Sequence, residues 1–160
     1  MSDYKTDLDN GINLIYDGNF QDGIDLINKS LKIKSDWNIP YFYRGVANQA
    51  LENWDEAILD YKKAIKYDNK MTDAYYNIAN ILLSRKDIEN PDINQAVTNL
   101  EKALDLDNKF VDALFAMAAA QKKLGNYHEA LKYLNKLLEI EPDAINAKAL
   151  KKLLLQKYIV

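Results

Sequence analysis

Apolar residues recur along this chain at steps of three and four, not two, with polar residues between them. That periodicity predicts amphipathic helices over nearly all of its 160 residues. Glycine and proline are scarce, at 5 and 3 residues, and β-branched residues dominate no run, which favours the same reading. Four segments share one order: Asn or Asp, a large apolar residue, any residue, an acid or its amide, then Gly or Ala. They are Asn19-Phe20-Gln21-Asp22-Gly23, Asn53-Trp54-Asp55-Glu56-Ala57, Asp92-Ile93-Asn94-Gln95-Ala96 and Asn126-Tyr127-His128-Glu129-Ala130, spaced 34, 39 and 34 residues apart. An Asn or Asp followed three residues later by Asp, Glu or Gln resembles a capping box, in which the first side chain takes orphan amides of a new helix. Four helices are therefore predicted to start at one phase of a repeat.

The phase persists on both sides of each start. The small series Gly23, Ala57, Ala96, Ala130 is followed four residues later by Ile27, Tyr61, Leu100, Leu134, and three further on by Ser30, Ala64, Ala103, Leu137. Upstream stands a second small series, Gly11, Gly45, Ala79 and Ala118. A small residue in each of two helices joined by a turn lets their axes approach closely as an αα-hairpin, and Gly18 suits such a turn. One hairpin cannot bury its own apolar face, so the hairpins must stack.

This pattern resembles the tetratricopeptide repeat family, with units at 4–37, 38–71, 72–110 and 111–144 and a lone helix at 145–158, all within one domain over 1–160. Tyr41 and Tyr75 hold the family's aromatic position and Glu141-Pro142 closes the fourth unit as the family does. The departures are Asp7 and Gly23 in the first unit, five extra residues within Lys86–Asp92, and Ser35, Asn69 and Asn108 where proline is usual. The resemblance implies an all-α fold, a right-handed superhelical solenoid of four helical hairpins plus a C-terminal capping helix. It also implies a non-catalytic module that binds a peptide or helix of a partner protein in a concave groove lined by the first helix of each hairpin. On that frame the groove draws on Leu8, Ile12, Phe42, Tyr43, Val46, Tyr76, Asn77, Asn80, Leu83 and Phe115, a mainly apolar and aromatic set with two amides. Co-chaperones of the family hold acidic chaperone tails with Lys, Asn and Arg at set positions. Here those positions carry Leu8, Ile12, Tyr43, Asp73 and Asn77, or Phe42, Val46, Asn77, Asp112 and Ala116, so only Asn77 fits and Asp112 has the wrong sign.

Charge and composition narrow the remaining possibilities. With 48% apolar and 28% charged residues and a net charge of −3, the chain reads as an ordinary globular protein and lacks the basic surplus of a nucleic-acid binder. It has no cysteine and one histidine, His128, whose neighbour Glu129 is followed at 132 by lysine, so no zinc pair forms. Asp105-Leu106-Asp107-Asn108-Lys109 lacks the glycine and closing acid of a calcium loop. No phosphate-binding glycine motif and no nucleophile–base set is present, so neither cofactor, metal nor catalysis is expected. The start is acidic and polar, and the longest apolar run, Ala113 to Ala120, is far short of a membrane span, so a cytoplasmic location without membrane insertion is expected.

Two further expectations concern single features. Arg44 stands where the family places an apolar residue, and the facing helix offers Asp60, which predicts a structural ion pair between the two helices of the second unit. The C-terminal segment carries Leu153, Leu154, Leu155, Tyr158, Ile159 and Val160 around more than one face. An alternative function follows from it, a self-associating scaffold that forms a homodimer through residues 145–160.

Overall fold

The computed structural model describes residues 3–86 and 92–158, and these form nine α-helices and no strand. They are α1 (Tyr4–Tyr16), α2 (Phe20–Ile33), α3 (Asn38–Ala50), α4 (Trp54–Tyr67), α5 (Thr72–Ser84), α6 (Ile93–Leu106), α7 (Val111–Lys123), α8 (Tyr127–Ile140) and α9 (Ile145–Lys157). The five extra residues expected within Lys86–Asp92 lie largely outside the described residues, as do Ile159 and Val160. The chain divides into two compact units, residues 1–74 and 75–160, with the boundary in the first turn of α5.

In the first unit α1 pairs with α2 and α3 with α4, while α2 also packs on α3. Its core holds Leu8, Ile15, Ile24, Ile27 and Ala47, with Trp37, Tyr43 and Val46 packed against them. In the second unit α7 pairs with α8, and α6 and α9 pack on α7 and α8 respectively. Leu114, Ala118, Ala130, Leu134, Leu137, Ala147 and Leu154 form a buried cluster in it. The heptad-like spacing read from the sequence thus becomes the buried seam of each hairpin.

The asparagines at the turns work differently from the capping boxes expected of them. Of the four repeat-phase starts, Asp92 alone caps by its side chain, accepting from the Gln95 amide at 3.0 Å. Asn19, Asn53 and Asn126 make no such bond. Instead each closes the preceding helix. Their backbone amides donate to the carbonyls of Leu14, Asn48 and Gln121 at 2.8, 2.8 and 2.9 Å, and the preceding residues Gly18, Glu52 and Gly125 adopt left-handed φ of 81°, 61° and 80°. This is the Schellman arrangement, which satisfies carbonyls that a helix end would otherwise orphan. The Asn53 side chain donates back to Asn48 Oδ1 at 3.3 Å and that of Asn126 to Gln121 Oε1 at 2.9 Å, fastening each turn to the helix before it.

The first hairpin is tighter than alanine would permit. A Cβ on Gly23 would lie 2.8 Å from the Gly11 carbonyl oxygen and 2.7 Å from Ile15 Cγ1, and one on Gly11 would lie 3.0 Å from the Gly23 carbonyl. Helical glycine ordinarily costs about 0.5–1 kcal/mol against alanine, yet here backbone meets backbone. Gly23→Ala is accordingly expected to destabilise the first unit by about 1–2 kcal/mol, since overpacking outweighs the gain in helix propensity. A urea melt that shows stabilisation would contradict this close approach.

Candidate interaction surfaces

The residues expected to line a groove fall in both units. In the first unit Leu8 is only 3% exposed and belongs to the core, because its face of α1 packs inward with Ile15 and against α2 and α3. This corrects its expected place in the groove. Ile12 and Val46 are half-buried against the same cluster. Phe42 and Tyr43 remain partly accessible. The Phe42 ring stands edge-on to Tyr43 with centroids 5.5 Å apart, and rests against Tyr61 at 5.7 Å. Tyr61 is fully buried and donates to Gln49 Oε1 at 2.7 Å, which gives Phe42 a fixed backing. Tyr43 shares a 3.2 Å hydroxyl hydrogen bond with the exposed Tyr16. That bond, with a contribution from burial, pushes the Tyr43 hydroxyl pKa up to about 12.

In the second unit the inward face of α5 is buried through Ile78, Ala79, Ile81 and Leu82, while Tyr76, Asn77, Asn80 and Leu83 are half-exposed on its flank. Tyr76 packs on Phe110 with ring centroids 5.0 Å apart. Burial first, and then the negative charge of Asp112, push the Tyr76 hydroxyl pKa above its ordinary value, which places the carboxylate in the same neighbourhood. Phe115 leans on the Leu114–Leu134 cluster and, with Val111, Asp112, Glu141 and Ile145, lines a cleft of about 260 Å³ between α7 and the start of α9. Ile145 is 80% exposed at its mouth. The chemistry on offer in this unit is aromatic and apolar area flanked by two carboxylates and two amides, with no cation lining the cleft.

Arg44 and Asp60 meet as a bidentate pair. Arg44 Nε donates to Asp60 Oδ2 at 2.9 Å and a terminal nitrogen to Asp60 Oδ1 at 2.6 Å, while the other terminal nitrogen donates to Asn28 Oδ1 at 2.6 Å. Asn48 adds a 3.2 Å bond to Asp60 Oδ2. The hydrogen bonds to Asp60 raise the Arg44 pKa further, against the lowering effect of burial. Sequence reasoning about opposite charges did not reach Asn28, which brings α2 into the network, because a neutral amide in a neighbouring hairpin carries no charge signal. Among the described residues no group of three metal-ligating side chains converges, and no helix is long and apolar enough to cross a membrane.

Comparison with known proteins agrees with this architecture. The family model of the TPR repeat matches residues 49–84 and 89–125, and that of the Fis1 C-terminal tetratricopeptide repeat matches residues 111–159. Together they run through more than half of the chain. This chain belongs to the tetratricopeptide repeat family. No curated protein matches its sequence. Among solved structures, MamA superposes with a TM-score of 0.80 at 24% identity, over 89% of this chain and 81% of that one. YrrB, described as a TPR protein with an unusual peptide-binding site, gives a TM-score of 0.76 at 19% identity over 89% and 71%. The first TPR of Spaghetti (RPAP3), bound to the HSP90 peptide SRMEEVD, gives 0.67 at 23% over 72% and 88%. These likenesses establish an all-α TPR solenoid fold, and with the family match a protein-interaction scaffold of a type that is typically non-catalytic.

Proposed function

We propose that this TPR protein is a non-catalytic module that holds an apolar, non-acidic peptide or helix of a partner protein on the first helices of its hairpins. The observation that carries this reading is the set of half-buried aromatic side chains with fixed backing: Phe42 on Tyr61, Tyr76 on Phe110, and Phe115 on the α7–α8 core. Each is partly exposed and held by its backing, so docking an apolar side chain against it costs little ordering. An anchor fully buried there contributes about 1.5–3 kcal/mol, and a few anchors reach a micromolar complex near −8 kcal/mol. Peptide binding by YrrB and by the Spaghetti repeat supports the mode. The ligand chemistry differs from that of the Spaghetti repeat, because Asp112 and Glu141 beside Tyr76 and Phe115 repel an acidic tail.

Panning a display library of random short peptides against the chain tests this. Enriched sequences should carry paired aromatic or aliphatic residues and few acids; Phe42→Ala should weaken those held by the first unit, and Tyr76→Ala those held by the second, about tenfold, or 1.4 kcal/mol, with far-UV circular dichroism unchanged. Enrichment of acidic peptides, or binding indifferent to both variants, overturns the reading.

The alternative, a homodimer through residues 145–160, gains from exposed Leu153 and Leu155 but meets an electrostatic objection. A two-fold interface places each surface on its own copy, and α9 carries Lys148, Lys151, Lys152 and Lys157 without a single acid. Its like charges would face one another.

A further inference from the structure

Helix α9 begins at the same repeat phase as α1, α3, α5 and α7, so it corresponds to the first helix of a hairpin, but among the described residues no second helix follows it. The face that a second helix would cover can be read from α3, where Arg44 and Asn48 reach Asp60, Gly45 lies against Tyr61, and Tyr41 stacks on Tyr67. The corresponding residues of α9 are Lys148, Lys151, Lys152 and Leu155. Lys152 replaces the glycine or alanine that permits close approach in the other four first helices. Three ammonium groups thus stand on a face that elsewhere in the protein is closed by a helix. Lys148 has only a solvent-exposed pair with Asp143 at 3.2 Å, while Lys151 and Lys152 meet no carboxylate among the described residues. With Leu138 of α8, Leu155 and Gln156 they line a cleft of about 540 Å³.

We infer that this α8–α9 cleft docks an amphipathic acidic helix of a partner protein, whose apolar stripe lies on Leu138 and Leu155 and whose carboxylates meet Lys148, Lys151 and Lys152. Charge complementarity selects the occupant. A mate as close as α4 is to α3 is excluded by the Lys152 side chain, so the docked helix sits further out, bridged by long lysine stems that cover apolar surface while their heads reach for acids. A second copy presenting its own α9 would bring lysine to lysine. The surface is distinct from the aromatic face of the first helices and has the opposite charge preference, so the two readings stand or fall separately.

The test uses the full chain and a fluorescein-labelled synthetic helix about five turns long, with Leu at helical spacing and Glu on the flanks. Fluorescence anisotropy should show binding that weakens at least tenfold with K148Q/K151Q/K152Q, at least tenfold when Glu is replaced by Gln in the peptide, and strongly between about 0.05 and 0.5 M salt. Phe42→Ala and Tyr76→Ala should leave it unchanged. Absence of binding, or binding insensitive to the triple lysine variant, overturns the inference. So does an oligomer in light scattering that the triple variant disperses, which would make the occupant a second copy. Lysine-dependent sedimentation with phosphatidylserine vesicles, without peptide binding, would make it a membrane surface. Circular dichroism of the triple variant guards against loss of fold; Lys148 and Lys152 are exposed and Lys151 is half-buried.

Discussion

Asp60→Ala is expected to lower the stability of the first unit by about 3 kcal/mol, far more than the loss of a surface ion pair. Asp60 is 4% exposed, and its carboxylate receives two hydrogen bonds from Arg44 and one from Asn48. Removing it leaves a guanidinium, itself mostly covered, with Asn28 as its one remaining partner in this network, and leaves Asn48 without its acceptor. The cost is that of desolvated donors deprived of partners, not of lost Coulomb attraction alone. Both tryptophans, Trp37 and Trp54, lie in this unit, so urea melts followed by their fluorescence report on it directly. Arg44→Met combined with Asp60→Leu should recover most of the loss, because a buried pair replaced whole by apolar groups is often neutral. If the double variant is as unstable as the sum of the singles, the two residues are not coupled and the network account is wrong. Arg44 and Phe42 sit on one helix, and the pair holds α3 against α4 while Tyr61 supports the Phe42 ring.

How much of this was open to sequence reasoning depends on what each residue type can signal. The hairpins were legible because only Gly or Ala permits their close approach, so Gly11, Gly45, Ala79 and Ala118 mark the repeat wherever it occurs. Leu8 was not placed correctly, since an apolar residue at that phase can be covered equally by a neighbouring hairpin or by a ligand, and in the first unit α1 turns it inward. The turn asparagines misled for a related reason. Asn suits an N-cap and also the residue after a left-handed helix stop, and the glycine before Asn19 and Asn126 is the feature that separates the two uses. At Asn53 that cue is missing, because Glu52 takes the left-handed position that glycine would fill without strain. The α9 lysines were visible as residues but not as a site. Only the structure shows that they occupy a face closed by a helix elsewhere in the protein.

Leu154→Ala should cost the second unit about 2–5 kcal/mol, the largest effect expected of any single truncation in α9. Leu154 is fully buried in the cluster formed by Leu114, Leu134, Leu137 and Ala147, although it lies only four residues from the described end of the chain. Terminal helices usually fray, and one held only by peripheral contacts would lose little on truncation. Here Tyr158 adds a second fastening, stacked on Tyr127 of α8 with centroids 4.3 Å apart and planes 19° from parallel. Native-state hydrogen exchange distinguishes the cases. If α9 is integral to the core, Leu154→Ala should accelerate the protected amides of α7 and α8 together with those of α9. Acceleration confined to α9 would mean a helix that unlatches by itself, and the cleft it forms with α8 would then exist only part of the time. The lysine face would still be present, but a docked partner would have to supply the order that Leu154 and Tyr158 provide in the free protein.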